Sequence, residues 1–181
     1  LNCKFLGDEI TSVSDMIRKV DSMHWRDFEH FIGELWTKKG YTTEVTPGAR
    51  DQGADIIAKK GAEIVLIQCK KHNGKNLVGD PVVRSCIGSA LSPYKANKVV
   101  IVTTSDFQNK AVEVAEQSEI PVDLINKSKL IKEIADNFPN LSSEVIEGNH
   151  SQGKVVISDE IDPNEEAKVI ELRAEISRHI K

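Results

Sequence analysis

The sequence predicts an α/β protein with a three-layer fold, in which helices flank a mixed central sheet of about five strands in the order α-β-β-β-α-β-α-β-α. Two observations lead to this prediction. Short β-branched runs bounded by turn residues follow one another between positions 41 and 70, which is typical of antiparallel hairpins. From position 80 onward, helical apolar stripes alternate with strand-like runs, which is typical of strand-helix-strand units with parallel strands.

The first predicted helix begins near Ser22 and ends before Gly40, which stands where a glycine commonly closes a helix. Asp21 or Ser22 can cap its start. Its apolar face consists of Trp25, Phe28, Ile32, Leu35 and Trp36. Glu29 lies at the edge of this face, where a carboxylate needs a reason to stay ionised, such as a nearby cation. A carboxylate that reaches the solvent or bonds a backbone amide fits the same position.

A predicted hairpin carries three polar residues on one face. Ile56 and Ile57 begin its first strand, and residues 64–67 form the apolar run of its second strand. With Lys60 and Gly61 as the loop, Asp55 opposes Leu66. Because side chains alternate along a strand, Asp55, Gln68 and Lys70 then share one face. On these residues alone, a structural ion pair remains the alternative to a functional site.

The helix after the hairpin is predicted to start at Asp80 as N-cap, with Pro81 as its first residue. Pro93 ends it. Its buried side consists of Val82, Val83, Cys86, Ile87, Ala90 and Leu91.

The following elements complete the predicted sheet. Residues 98–103 form an uninterrupted apolar strand, as expected for a strand that is covered on both faces. Ser105 and Gln108 match a capping box for the next helix. A last strand covers residues 120–125, with Pro121 at its start or at a sheet edge. Ser128 is predicted to open the final helix of the domain.

Composition and charge divide the chain into parts. We expect a lead-in at residues 1–20 that is weakly structured or a short extra helix, the main folded domain at 21–138, a polar linker at 139–162, and a helix at 163–181. The last helix either packs on the body or makes an oligomer contact. Residues 138–181 carry nine acidic and five basic side chains, so the whole net charge of −4 lies there. The neutral body neither favours nor excludes a nucleic-acid partner.

Several classes of protein are disfavoured. No apolar run approaches the roughly 18 residues that a membrane span needs, and charges within the first twenty residues argue against a signal peptide. The three cysteines form neither a Cys-x-x-Cys pair nor an even disulfide framework, so we expect a reducing, cytoplasmic location. No Ser/His/Asp constellation and no Gly-rich phosphate loop can be recognised, which disfavours serine or thiol hydrolysis and nucleotide-triphosphate use.

From about His24 to Asn137 the chain resembles the Mrr-like catalytic domain of the restriction-endonuclease (PD-(D/E)XK) superfamily. The order and spacing of many short segments carry this resemblance. They are Phe28-Glu29, Gly40-Tyr41, Asp51 to Asp55, Gln68-Cys69-Lys70, Val82-Val83-Arg84, Val102-Thr103-Thr104 with Phe107 and Ala111, and Leu124-Ile125 with Leu130. The sequence departs from the family's name motif at Ala54, where a proline is common.

The resemblance implies hydrolysis of DNA phosphodiester bonds with a divalent cation, Mg²⁺ first and Mn²⁺ second. It assigns the metal ligands to the carboxylate of Asp55, the backbone carbonyl of Cys69, the amide oxygen of Gln68 and the carboxylate of Glu29. Oxygen donors of this kind suit a hard cation. Glu29 restores the negative charge that is lost where Gln68 replaces the commoner acid. Lys70 would orient or activate the attacking water and offset charge on the phosphate.

The implied partner is DNA, with Lys71, His72 and Lys75 as candidate phosphate contacts. Restriction of foreign DNA is the expected role. A structure-specific nuclease resembling a junction resolvase, or a non-catalytic DNA-binding or assembly module that keeps the fold, are the alternatives. One active site cuts one strand, so a homodimer is a candidate assembly for double-strand cleavage.

Overall fold

A computed structural model describes residues 13–47, 53–72 and 76–138. The chain divides into two compact units, residues 1–149 and 150–181, and all described residues belong to the first. The predicted linker at 139–162, the predicted helix at 163–181 and Lys75 lie outside the described residues. In the part that the structure describes, no helix combines the length and apolar character needed to cross a bilayer.

The first unit is built on one mixed, five-stranded sheet, as predicted. Strands β1 to β3 pair antiparallel, and β3, β4 and β5 pair parallel in the spatial order β1-β2-β3-β4-β5. The strands are β1 (Thr42–Val45), β2 (Ile56–Lys60), β3 (Glu63–Lys70), β4 (Lys98–Thr103) and β5 (Val122–Ile125). The helices are α1 (Val13–Ser22), α2 (Trp25–Lys38), α3 (Asp80–Leu91), α4 (Asn109–Glu116) and α5 (Lys127–Asn137).

Helices cover both faces of the sheet, which makes the fold three-layered. Successive residues of β4 point to opposite faces of the sheet. Val100 and Val102 pack with α1, α2 and α5 on one face, and Val99 and Ile101 pack with α3 and α4 on the other. All four side chains are almost fully buried. The uninterrupted apolar run of β4 is therefore explained by a strand that contributes to two cores.

The segment predicted as a lead-in contains α1. Of the two alternatives, the short extra helix is what the structure shows for residues 13–22. Met16 and Val20 are buried in the same core as α2 and α5. The Asp21 carboxylate accepts a hydrogen bond from Lys127 Nζ at 2.6 Å, which ties the end of α1 to the start of α5.

Helix α2 begins three residues later than predicted. His24, not Asp21 or Ser22, is its N-cap, and its Nδ1 accepts a hydrogen bond from the backbone N–H of Arg26 at 3.3 Å. Trp25, predicted on the apolar face, is 53% exposed. Helical periodicity gives the direction of a side chain around the axis but not where the neighbouring layer ends. Gly40 has φ +89° and closes the helix as predicted.

Three other helix starts also differ from prediction. Gly79 is the N-cap of α3, so Asp80 lies one position further into the helix than expected. Gln108 is the N-cap of α4, and the proposed box with Ser105 does not form because the Ser105 hydroxyl donates to the carbonyl of Asn76 at 2.8 Å. Asn126 rather than Ser128 caps α5.

One helix end and one strand start complete the comparison with the predicted pattern. Leu91, predicted on the buried side of α3, is the last residue of the helix and is 64% exposed. Pro121 directly precedes β5, which is an edge strand, in agreement with prediction.

The hairpin of β2 and β3 turns one residue later than predicted. Gly61, at φ +59°, and Ala62 form the loop, so Ile57 rather than Asp55 opposes Leu66. The pairing is displaced by two residues, and an even displacement keeps every side chain on its predicted face. Asp55, Gln68 and Lys70 therefore still belong to the face of the sheet that carries Leu66.

Candidate active site

A cavity of about 560 Å³ opens where β3 ends, between the first turns of α2 and α3. All five residues predicted as catalytic or metal-binding line it. They are Glu29 from α2, Asp55 directly before β2, and Gln68, Cys69 and Lys70 from the end of β3. The cavity is therefore the place where three separated segments bring together carboxylates, an amide, a backbone carbonyl and an ammonium group.

Asp55 is held by its backbone on both sides. Its N–H donates to the carbonyl of Ile67 at 3.0 Å, and its own carbonyl accepts from the N–H of Thr46 at 2.8 Å. Gly53, two residues earlier, has φ +84°, and a Cβ there would lie 3.3 Å from Ser89 Oγ. Glycine thus lets the chain turn close to α3 before it delivers the 5%-exposed Asp55 side chain into the cavity.

The Asp55 carboxylate is the centre of a short hydrogen-bond network. Its Oδ2 accepts from the backbone N–H of Cys69 at 2.6 Å and from the Nε2 of Gln68. The same Gln68 Nε2 lies 3.4 Å from the backbone carbonyl of Cys69. The amide nitrogen of Gln68 therefore faces the two oxygen atoms that the sequence predicted as metal ligands.

Glu29 already has a cationic partner. Its Oε2 accepts a hydrogen bond from Nη1 of Arg26 at 2.8 Å, and only 7% of Glu29 is exposed. Sequence reasoning missed Arg26, although the i,i+3 spacing of an arginine and a glutamate in a helix is a recognisable signal. The pair gives the Glu29 carboxylate a hydrogen-bonded partner at the border of an apolar helix face.

Lys70 is positioned by the end of the neighbouring strand. Its backbone carbonyl accepts from the hydroxyl of Thr103 at 2.8 Å and from the N–H of Thr104 at 3.3 Å. Sequence reasoning did not assign these threonines a part in the site. They fix the last residue of β3 relative to β4, and the half-buried Lys70 side chain lines the cavity.

The pKa values of two cysteine thiols, Cys69 and Cys86, are affected by burial and by the charges around the cavity. Burial, followed by the negative charges of Asp55 and Glu29, raises the pKa of Cys69 well above its usual value. Burial also raises the pKa of Cys86 to about 12, and the positive charge of Lys70 opposes this shift. Both thiols are therefore neutral at physiological pH, and neither has the lowered pKa of a reactive cysteine.

Two of the predicted phosphate contacts, Lys71 and His72, lie in the described part of the chain, and they are held by different hydrogen bonds. Lys71 lines the cavity, and its Nζ donates to the backbone carbonyl of Asp21 at 2.8 Å, at the end of α1. His72 is fixed through its backbone, because its N–H donates to Thr104 Oγ1 and its carbonyl accepts from the same hydroxyl, both at 2.9 Å. A DNA contact by either side chain stays a prediction.

The donor set of the site is rich in oxygen. Within residues 13–47, 53–72 and 76–138, no three His, Cys, Asp or Glu side chains come together as a metal cluster. The predicted ligands are instead two carboxylates, an amide and a backbone carbonyl. This chemistry fits a hard divalent cation, which prefers oxygen ligands, better than a zinc-type site built from thiolates and imidazoles.

Comparisons with known proteins agree with the fold. A family model described as restriction endonuclease, Mrr_cat, matches residues 20–134. No curated protein matches the chain. The DNA modification-dependent restriction endonuclease AspBHI is similar in structure, with a TM-score of 0.56 and 20% identity over 78% of this chain and 40% of that one.

A second similar structure is the MspJI restriction endonuclease in complex with a 27-mer oligonucleotide. Its TM-score is 0.51, with 18% identity over 79% of this chain and 37% of that one. The chain thus spans about two fifths of the length of each of these two enzymes. At such identities the likeness shows the fold alone. The family model, in contrast, covers more than half of the chain, and the chain therefore belongs to the restriction endonuclease family, with the Mrr-type domain at residues 20–134.

Proposed function

We propose that this protein is a metal-dependent DNA endonuclease that hydrolyses phosphodiester bonds in the restriction of foreign DNA. One observation carries the proposal: Glu29, Asp55, Gln68, Cys69 and Lys70 line a single cavity at the end of β3. Membership of the restriction endonuclease family supports DNA as the substrate. The MspJI enzyme with the same fold was solved with an oligonucleotide, which agrees with that substrate.

The residues present fit Mg²⁺, and Mn²⁺ has the same preference for oxygen and nitrogen over sulfur. The Asp55 carboxylate and the Cys69 carbonyl are both already close to the amide nitrogen of Gln68. A half-turn of that amide would bring its oxygen toward the position its nitrogen now holds. Glu29 would supply the second carboxylate. When bound, the cation would polarise the scissile phosphate and lower the pKa of a water molecule.

Each side chain then has a role of its own. Lys70 would place its ammonium group beside the phosphate, orient the attacking water and offset the charge that develops on the phosphate oxygens. Asp55 would anchor the site, because its backbone is fixed by hydrogen bonds with Thr46 and Ile67. Arg26 would hold the Glu29 carboxylate at the cavity wall through the 2.8 Å ion pair. Cutting both strands would need two such domains or two successive nicks.

Replacing Lys70 tests this mechanism. We expect Lys70→Ala to reduce nicking of supercoiled plasmid DNA in Mg²⁺ by at least about a hundredfold, since a positioned proton-transfer or charge-stabilising group typically contributes that much. Chelation of Mg²⁺ should stop the wild-type enzyme. Lys59→Ala, which removes an exposed lysine of the same hairpin, is the matched control and should nick normally.

Circular dichroism would verify that both variants fold. Full nicking by Lys70→Ala would contradict the mechanism. Cleavage that is confined to branched DNA, with linear and supercoiled DNA left intact, would instead indicate a structure-specific nuclease.

A further inference from the structure

An exposed tryptophan stands at the rim of the cavity. Trp25 is the first residue of α2, lines the cavity together with Glu29, Asp55 and Lys70, and keeps 53% of its surface exposed. Trp36, on the same helix, is 3% exposed and belongs to the core. A single exposed apolar side chain is ordinary on a protein surface. Its place at the mouth of a candidate active site makes this one a candidate contact for the substrate.

Two neighbours position the indole ring. The guanidinium carbon of Arg26 lies 5.6 Å from the ring centroid, within cation-π range, and the His24 ring centroid lies 5.3 Å away. His24 is also the N-cap of α2, so the ring is supported by the cap that starts the helix. An aromatic ring supported in this way loses little conformational freedom when a flat partner packs on it.

The same arginine connects the indole to the site. Arg26 donates to Glu29 at 2.8 Å while it lies against Trp25. Lys70 and Lys71 also line the cavity, so its wall carries cationic groups that suit a phosphodiester backbone. Because Trp25 and Lys70 line the same cavity, a strand whose phosphate reached Lys70 would place a neighbouring nucleotide near Trp25.

We propose that Trp25 stacks on a nucleobase next to the scissile phosphate, one that is unstacked from its own neighbour. The inference rests on the proposed function, because it takes DNA as the substrate. Proteins that hold unstacked bases combine cationic groups for the backbone with aromatic rings, since every base offers a π-face. Trp25 and Lys70, which line one cavity, supply this combination together with Arg26, which contacts the indole ring.

Intrinsic fluorescence tests the contact directly, because the chain has two tryptophans and Trp36 is buried. The Trp36→Phe variant isolates the signal of Trp25. It is titrated, without a divalent cation, with a DNA duplex that carries a short single-stranded gap, and with a matched duplex whose gap nucleotides are abasic. We expect quenching by the first duplex and little change with the second, which has the same phosphates but no bases in the gap.

Binding measurements on the full chain complete the test. We expect Trp25→Ala to weaken binding of the gapped duplex about tenfold by fluorescence anisotropy, and Trp25→Phe to recover part of the loss. Leu91→Ala, which removes another exposed apolar side chain, should bind normally. Should Trp36→Phe fail to fold, the fluorescence difference between wild type and Trp25→Phe carries the same signal.

The outcomes separate this inference from the proposed function. Equal quenching by both duplexes, or unchanged affinity of Trp25→Ala, overturns the stacking contact even if the enzyme still nicks DNA. Base-dependent quenching in a protein that never nicks DNA supports the contact and removes the nuclease mechanism. A wild-type protein that binds neither duplex overturns both.

Discussion

Glu29 and Arg26 form an ion pair at the candidate active site, where Glu29 is a proposed metal ligand. The side chains are 9% and 33% exposed, so the Glu29 charge is largely removed from water and depends on a nearby positive group. In the structure, the guanidinium group of Arg26 supplies this positive charge. A cation bound by Glu29 would be a second positive group beside the same carboxylate, so either of them could stabilise it.

The Arg26→Gln variant tests whether Arg26 and a bound cation can each stabilise the Glu29 carboxylate. Without a divalent cation, we expect the free energy of unfolding to fall by about 2 kcal/mol, less than for a fully buried pair because Arg26 is partly exposed. With Mg²⁺ the loss should shrink, since the cation replaces the guanidinium. Chemical denaturation with and without Mg²⁺ measures both values.

Arg84→Gln is the matched control for the arginine substitution. Arg84 pairs with Asp80 in the first turn of α3, but its side chain is 60% exposed, so its loss should cost less than about 0.5 kcal/mol in either condition. An equal, Mg²⁺-independent cost for the two arginine variants would show that Glu29 does not need Arg26.

At the scale of helices and strands, the sequence predicted strands and faces well and helix starts poorly. Asp55, Gln68 and Lys70 were predicted on one face because side chains alternate along a strand. The prediction remains correct although the turn lies one residue later than expected, because the register is displaced by an even number of residues. The predicted caps at Ser22 and Ser105 failed because a cap contributes only about 1 kcal/mol, which packing of the whole helix easily overrides. Arg26 and Trp25 could not be placed from periodicity, which does not show where the sheet beneath α2 ends.

A tyrosine joins the end of α2 to the hairpin and makes this connection sensitive to alkaline pH. Tyr41 donates its phenol hydrogen to Glu63 at 2.6 Å. This hydrogen bond, with burial and the Glu63 charge, raises the pKa of Tyr41 from 10.0 to about 12. The folded protein therefore favours the neutral phenol, and this contribution to stability is complete below pH 10 and is lost as the pH rises to about 12.

The two tyrosines of the chain allow a direct titration. In Tyr94→Phe, the only remaining phenol is Tyr41, and we expect its ultraviolet titration midpoint near pH 12. Adding Glu63→Gln should lower the midpoint toward 10, because the neighbouring negative charge is removed. Circular dichroism at each pH verifies that the protein is still folded. A midpoint that does not move would assign the shift to a cause other than Glu63.

At the scale of the whole molecule, the site depends on both layers of helices. α2 brings Glu29 from one side of the sheet, and α3 closes the cavity from the other side with Pro81, Val82, Ser85 and Cys86. β3 lies between β2 and β4 and ends in the cavity. Disturbing either core should therefore destabilise the fold that assembles the site.

Helix α1 gives a test of this dependence, because most of it precedes the segment matched by the family model. Met16 is 1% exposed in the core that α1 shares with α2 and α5. We expect Met16→Ala to lower the free energy of unfolding by about 2–5 kcal/mol, as for other large apolar side chains removed from a core. Ser14→Ala, an exposed position on the same helix, should change it by less than about 0.5 kcal/mol.

The far-UV signal of helices and the fluorescence of the buried Trp36 should change in one transition in Met16→Ala, at a lower denaturant concentration than in wild type. Nicking per folded molecule should stay normal at low temperature, because Met16 does not line the cavity. If Met16→Ala is as stable as Ser14→Ala, then α1 is dispensable and the catalytic unit begins at α2. A large loss would instead make α1 part of the core that holds Glu29 in place.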